Sequence, residues 1–413
     1  MKEGSLVEAK VGKEKIKGKV MPSLDKDILV LKLDSGYNMG IKKAKIKSFK
    51  TLKGKGNVKK IVKKVKSKKS LKTIAILHTG GTVASRVDYE TGGVSSQFTP
   101  EDLLRMYPEL GERVNIRSKL ILNVFSEDLG FKHYNLIAKE IEKEVKKKVD
   151  GVIVTHGTDT MHYSSAALSF ILEGLKVPVV FVGSQRSSDR GSSDARLNLV
   201  SACDFIVKSG LAGVFVCMHE GMGDDSCLIF NGLKVRKLHS SRRDAFKAVN
   251  CKPVARVSGG KFKILDGFKV KGEKFKLRLF KESLKVGFLK VHPQMCKEEV
   301  LCFKKFDGLV VEGTGLGHVG VNDNLEVLKA FKSLKIPIVM SSQCVFGRVN
   351  MNVYSTGRKL QEFIFGNLND MTPETSFIKL AWLLSNYPKK VKDMFMVDFR
   401  GEFNERMGEE FLD

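Results

Sequence analysis

The hydrophobic pattern changes character near residue 73. Before it, apolar and charged residues alternate in four short runs, 5–11, 16–21, 28–33 and 41–49. A period of two marks strands with one buried face, and Asp34-Ser35-Gly36 supplies a turn signal. Residues 1–50 are therefore expected to form a small β-barrel. Such barrels bind proteins as often as RNA. Residues 51–72 lose the alternation, and Gly54 and Gly56 interrupt any helix there. A basic, flexible linker is expected, kept extended by lysine repulsion.

From residue 73 onward, solid apolar runs of strand length alternate with stretches of helical spacing. Strands are expected at 73–78, 119–125, 151–155, 178–183 and 213–217. One helix is expected from about 132 to 148, with Leu136, Ile137, Ile141 and Val145 on one face. Another is expected over 194–208, burying Leu197, Val200, Cys203, Ile206 and Val207. This alternation predicts a mostly parallel sheet with helices on both faces. Residues 266–283 are charged and poor in strand signals, and are read as the crossing into a second unit. Strands are expected there at 286–291, 308–312 and 336–341, with a helical C-terminus from Glu374. The predicted organisation is a barrel at 1–50, a linker at 51–72, and α/β domains at 73–275 and 276–413.

Composition adds an asymmetry. The 413 residues, 42% of them hydrophobic, suffice for two or three cores. The net charge of +26 is uneven: residues 1–72 hold 23 lysines against six acids, and residues 41–72 hold 15 lysines and no acid. A basic arm favours nucleic acid or another polyanion. Lysine enrichment also makes a solubilising surface, or accompanies life at high temperature, so both readings stand. The basic stretch has no aromatic interleaving, which argues against base stacking. Seven scattered cysteines without a CxxC pair read as reduced core residues of a cytosolic protein. No signal peptide is expected after Met1-Lys2-Glu3-Gly4-Ser5, and no apolar run approaches the roughly 20 residues of a membrane span. The eight histidines form neither HExxH nor a zinc spacing, so no metal is expected. No GxGxxG follows an early strand, which excludes a Rossmann reductase.

Candidate chemistry sits where strands end. The run at 73–78 leads into Thr79-Gly80-Gly81-Thr82, and the run at 151–155 into Thr155-His156-Gly157-Thr158-Asp159-Thr160. Ligands bind beyond the carboxyl ends of strands in an open parallel sheet, so both loops are expected to face one crevice. Thr82 is either a nucleophile or a helix cap. Thr158 and Asp159 place a hydroxyl beside a carboxylate.

The pair TGGT and HGTDT resembles the bacterial-type L-asparaginase family over roughly residues 73–413. Three further segments, VGSQRS at 182–187, KVRKLHSSRRDAF at 234–246 and VEGTGLGH at 311–318, resemble one branch of it, the D subunits of archaeal glutamyl-tRNA(Gln) amidotransferases. The extra N-terminal domain fits that branch and not the plain asparaginases. The resemblance implies an asparaginase-like two-domain α/β fold behind a small β-barrel. It implies a glutaminase that supplies ammonia to a partner E subunit, in a heterodimer or heterotetramer, for conversion of Glu-tRNA(Gln) to Gln-tRNA(Gln). ATP and magnesium would belong to that partner, and this chain would need no cofactor. A homodimer of this chain is implied as well. A stand-alone cytoplasmic asparaginase would share the chemistry without a use for residues 1–72.

Residue by residue, the resemblance makes Thr82 the first catalytic threonine, Thr158 and Asp159 the second threonine and its aspartate, and Lys237 the catalytic lysine. A threonine hydroxyl needs a neighbouring base. A lysine serves as one only after losing its proton, which burial favours. Asp159 either orients Lys237 or holds the substrate α-amino group. From the residues alone, Lys237 also reads as a surface lysine among Lys234, Arg236, His239, Arg242 and Arg243. Tyr89 lies in a loop with Gly92 and Gly93 and is either a lid residue that activates the nucleophile or an exposed tyrosine. Ser126 matches a serine that binds the substrate carboxylate. Glu127 replaces the glutamine of secreted asparaginases and suits an α-ammonium group.

Overall fold

The computed structural model describes residues 5–12, 14–21, 23, 25, 27–33, 38–52, 68–81, 86–87, 94–95, 103–104, 107–187, 192–267, 274–409 and 411. The alternating front of the chain folds into strands β1 (Leu6–Val11), β2 (Glu14–Met21), β3 (Ile28–Lys32), β4 (Asn38–Lys42) and β5 (Ile46–Thr51). They form an antiparallel sheet in the order β4-β3-β2-β1-β5. Every second residue turns inward, so Val7, Ala9, Val20, Leu29, Leu31 and Ile41 make a core of their own. The run expected at 41–49 is two strands, split by a 3-10 turn at Lys43–Lys45.

The first α/β unit supplies β6 (Thr73–His78), β7 (Asn115–Leu120), β8 (Gly151–Thr155), β9 (Pro178–Val182), β10 (Gly213–His219) and β11 (Ser226–Asn231), then a short hairpin of β12 (Val235–Lys237) and β13 (Phe246–Ala248), then β14 (Ala255–Ser258) and β15 (Lys261–Ile264). Eight of these form one sheet in the order β15-β14-β11-β10-β9-β8-β6-β7. Helices α1 (Phe131–Lys146), α2 (Met161–Ile171) and α3 (Ala195–Lys208) cover it. In β6, Ala75 and Leu77 join one core with Ile137, Ile141 and Phe170, while Ile74 and Ile76 join another with Leu199 and Phe205. A strand buried on both faces is apolar throughout, which is why its sequence showed no alternation.

One expectation is refined and one corrected. The sheet is mixed: β7, β6, β8, β9 and β10 run parallel, but β10, β11, β14 and β15 pair antiparallel. The link from β10 to β11 is too short for a crossover helix. The strand expected at 119–125 is β7 at 115–120 instead. It is an edge strand, half exposed, so the solid apolar run falls in the loop beyond it, where Ile121 and Leu122 pack on the core.

The second unit has β16 (Val286–Lys290), β17 (Gly308–Gly313), β18 (Ile338–Ser342) and β19 (Ile364–Phe365) in a parallel sheet, with α4 (Leu325–Ser333) and α5 (Pro373–Asn386). Helix α5 starts at Pro373, and the Thr372 hydroxyl accepts the Thr375 N–H at its cap. Ile378, Leu380, Trp382 and Leu383 of this helix belong to the same core as Phe170 of α2, and the Phe170 and Trp382 rings stack at 5.4 Å. The two units therefore share one apolar seam. Among the described residues, no helix is long and apolar enough to cross a membrane.

Candidate active site

Strands β6, β8 and β9 are parallel neighbours, so the loops after them emerge at one edge of the sheet. Thr79 ties the first loop to the second strand: its N–H and its hydroxyl both donate to the Thr155 carbonyl, at 3.1 and 2.9 Å. Glycines then let the loops touch. A Cβ on Gly81, at φ +81°, would lie 2.7 Å from the Gly157 nitrogen, and one on Gly80 would lie 2.5 Å from the Val124 oxygen. A Cβ on Gly157 would meet Ser126 Cβ at 2.8 Å, and one on Gly183 would meet Thr158 Cγ2 at 2.7 Å. No larger residue fits such approaches.

Into this edge the β12–β13 hairpin delivers Lys237. Its Nζ stands 2.8 Å from Thr158 Oγ1 and 2.8 Å from Asp159 Oδ1. Thr158 is buried. The Lys237 side chain is 8% exposed and that of Asp159 69%, so the amine is sealed and the carboxylate opens to solvent. The basic run around Lys237 is no uniform surface. Lys234 is buried, whereas His239 and Arg242 are exposed.

Ser126 is buried, and its hydroxyl donates to Glu127 Oε2 at 3.3 Å, while its carbonyl accepts the Thr160 hydroxyl at 2.6 Å. Glu127 is exposed. The structure thus gathers Ser126, Glu127, Thr158, Asp159 and Lys237 at the strand ends. Thr82 and Tyr89 lie outside the described residues; Gly81, the residue before Thr82, is packed on Gly157.

Three positioning groups escaped the sequence reading. His156 is fully buried between the Gly157 carbonyl, 2.6 Å from Nδ1, and the Ser164 hydroxyl, 2.8 Å from Nε2. Burial pushes its pKa down to about 4, so it is neutral, donates through Nδ1 and accepts through Nε2. Asp194 accepts the N–H groups of Gln185 and Arg186, both at 3.0 Å. Asn198 donates to the Gly183 carbonyl at 3.0 Å. Asp194 and Asn198 thus hold the loop whose Gly183 packs on Thr158. Asp194 stood only as the first residue of the helix expected over 194–208; the fold reveals the loop it holds.

Among the described residues, no group of three or more His, Cys, Asp or Glu side chains is arranged to hold a metal ion. A cavity of about 580 Å³ lies elsewhere, by Gly213 at the start of β10, and is lined by Leu172, Lys234, Asp266, Arg400 and Asn404. The site is defined instead by the chemistry of the strand ends: a buried hydroxyl and a buried amine in contact, beside an open carboxylate. That set can move a proton off a hydroxyl that attacks a carbonyl.

The chain is similar to known proteins over most of its length. Family models described as "Asparaginase, N-terminal" and "Glutaminase/Asparaginase C-terminal domain" match residues 73–268 and 285–395, and one described as "GatD N-terminal domain" matches residues 1–52. The chain is 44% identical over 401 residues to a protein of Pyrococcus furiosus named as the D subunit of glutamyl-tRNA(Gln) amidotransferase, covering 94% of this chain and 91% of that one. It is 42% identical over 413 residues to a protein of the same name from Methanococcus maripaludis, covering 97% and 98%. Among solved structures it resembles the thermostable L-asparaginase from Thermococcus kodakarensis, at 27% identity and a TM-score of 0.72, over 81% of this chain and 100% of that one. L-asparaginase I from Vibrio cholerae gives 27% and 0.70, over 81% and 99%.

Proposed function

The chain belongs to the family of glutamyl-tRNA(Gln) amidotransferase D subunits, and from that premise we propose a mechanism and a setting for its glutaminase chemistry. The observation that carries the proposal is the buried contact of Lys237 with Thr158 and Asp159. Thr82 attacks the side-chain amide carbon of glutamine. The Thr158–Lys237–Asp159 group accepts the proton released from a hydroxyl and returns one to the departing nitrogen. The C–N bond breaks, ammonia leaves, and an acyl-threonine ester remains. Water hydrolyses that ester to glutamate and regenerates the hydroxyl. Backbone N–H groups near Gly81 and Thr158 hold the oxyanion. Ser126 receives the substrate carboxylate, Glu127 its α-ammonium group, and Tyr89 covers the site.

The ammonia passes to a partner E subunit, which holds ATP and magnesium and amidates Glu-tRNA(Gln) in the cytoplasm. This chain pairs with a second copy of itself within that assembly. The N-terminal β domain supports this reading over a stand-alone asparaginase, because residues 1–52 match a domain that amide hydrolysis does not need. The test is ammonia release from glutamine and from asparagine, with and without the E subunit and Glu-tRNA. Slow glutamine hydrolysis by the chain alone, rising when both are present, is the expected result. Rapid asparagine hydrolysis indifferent to partner and tRNA would overturn the amidotransferase setting.

A further inference from the structure

Strand β12 carries Lys237 toward the site, and its alternate residues point the other way. Successive side chains of a strand leave opposite faces, so Lys234 and Arg236 turn from Lys237 and reach the second α/β unit. There Lys234 Nζ meets Asp370 Oδ2 at 3.2 Å, with both side chains buried. The Arg236 guanidinium meets Glu374 Oε1 at 2.8 Å. Between these ion pairs, the Thr375 hydroxyl donates to the Leu233 carbonyl at 2.7 Å. Glu374 and Thr375 lie in the first turn of α5, and Asp370 lies just before it.

We propose that Glu374, through Arg236, is a positioning residue for Lys237, so that the second α/β unit sets the geometry of a base it does not contain. This rests on the reading of Lys237 as the base. The argument is geometric. The hairpin is short, with three residues in each strand. A strand so short has little stiffness of its own, and its Lys237 must stay within hydrogen-bond distance of both Thr158 and Asp159. The links at Leu233, Lys234 and Arg236 fix the strand at successive points on the side away from the site. Their anchors are themselves held. Asp370 accepts both the N–H and the side-chain amide of Asn404, each at 2.9 Å. The α5 backbone is capped by Thr372 and its body is sealed in the shared core. Glu374 is buried beside His162, whose Nε2 stands 3.9 Å from Glu374 Oε1. A carboxylate sealed in this way needs the guanidinium, and the guanidinium is tied to the residue next to the base.

The test is steady-state glutamine hydrolysis by the full-length chain carrying Arg236→Gln, Glu374→Gln or both, with thermal melts alongside. Glu374→Gln is expected to lower kcat about tenfold or more, with KM within about threefold, since what is lost is placement of the base and not substrate binding. The double variant should lose no more than the worse single, because both substitutions break one link. Val327→Ala, a cavity in the core of the second unit, should lower the melting temperature and leave kcat unchanged. An unchanged kcat in folded Glu374→Gln, or fully additive losses, overturns the proposal. So does a loss of kcat in Val327→Ala that matches its loss of stability. If Glu374→Gln fails to fold, Glu374→Asp, which keeps the charge and withdraws it by one methylene, carries the same two outcomes. Lys237→Met measured in parallel separates the two claims: if it stays active, the reading of Lys237 fails; if it is inactive while Glu374→Gln is normal, only the present inference fails.

Discussion

A buried lysine faces a carboxylate in each α/β unit, and the surroundings of the two pairs differ. In the first unit, Lys237 is sealed but touches the Thr158 hydroxyl, and its partner Asp159 is open to solvent. In the second, Lys379 and Glu402 are 2.5 Å apart, and neither side chain is exposed. Lys379 also donates to the Val397 carbonyl at 2.7 Å and sits over the rings of Phe395, Phe399 and Phe403. These contacts are a carboxylate, a carbonyl and three rings, and neither charge is open to a substrate. Burial of a lysine is thus no sign of catalysis by itself. The sign is burial together with a hydroxyl in reach and a side open to a substrate.

The largest effect should come from the first pair. Thr158→Ala and Lys237→Met are each expected to cut ammonia release by about three to four orders of magnitude, as members of one catalytic unit do, with little change in melting temperature. An ammonia assay on folded protein decides it, and a near-normal rate in either variant would erase the contrast between the pairs. The second pair should answer in stability instead. Lys379→Met strands the Glu402 charge in the interior and is expected to cost about 3–5 kcal/mol of unfolding free energy. Adding Glu402→Gln should recover part of that loss. Denaturant titration measures both, and a loss below about 1 kcal/mol would mean that the pair is not sealed in solution.

The sequence displayed the first pair better than the second, for a physical reason. Thr158 and Asp159 follow a run of buried-strand character, and strand ends are where parallel sheets hold ligands. Lys237 could be singled out only by resemblance, since a lysine among basic neighbours has no local mark of burial. Lys379 sits in an apolar helix, where one charge passes for a surface position, and its partner lies 23 residues away. The two-faced strands β6, β8 and β9 were legible because burial on both faces leaves apolar runs. Edge strand β7 was displaced because half-exposed strands lose that signal. Arg236 and Glu374 were illegible as a pair: they lie on different units, and Glu374 stood only as the start of the helical C-terminus.

Acid should weaken the first unit through its histidines. Burial lowers the pKa of both His78 and His156 to about 4, from an ordinary value of 6.5. Unfolding exposes them, so between about pH 6.5 and 4 the unfolded chain binds the extra protons. Stability is therefore intact above pH 6.5 and falls as pH drops toward 4, by up to roughly 3 kcal/mol per histidine. Unfolding free energies at pH 7 and pH 4.5 should show the drop, and His156→Gln should remove its own share of it. An identical pH slope in that variant would mean that His156 is not buried neutral in solution.

The smallest effects belong to single methyl groups, and they separate the two units most finely. Gly81 and Gly347 both have positive φ, +81° and +97°. An alanine at either position is strained by about 1 kcal/mol for its backbone alone. They differ in what the methyl would meet. At Gly347, in the second unit, no atom of the described residues lies within 4 Å, so the cost should stop at the backbone strain and the rate should be unchanged. At Gly81 the methyl would lie 2.7 Å from the Gly157 nitrogen and 2.9 Å from the His156 carbonyl carbon. Both are backbone atoms of the loop that carries Thr158, and they have no rotamer by which to move aside. Either that loop shifts or the 79–81 turn does, and each shift separates Thr158 from the chain that continues into Thr82. Gly81→Ala should cost about 1–3 kcal/mol in stability and lower kcat by tenfold or more, since small misplacements of reacting groups are costly. Gly347→Ala should cost about 1 kcal/mol and nothing in rate. If the two alanines prove equal in both readouts, the two loops do not touch in solution as closely as the site requires.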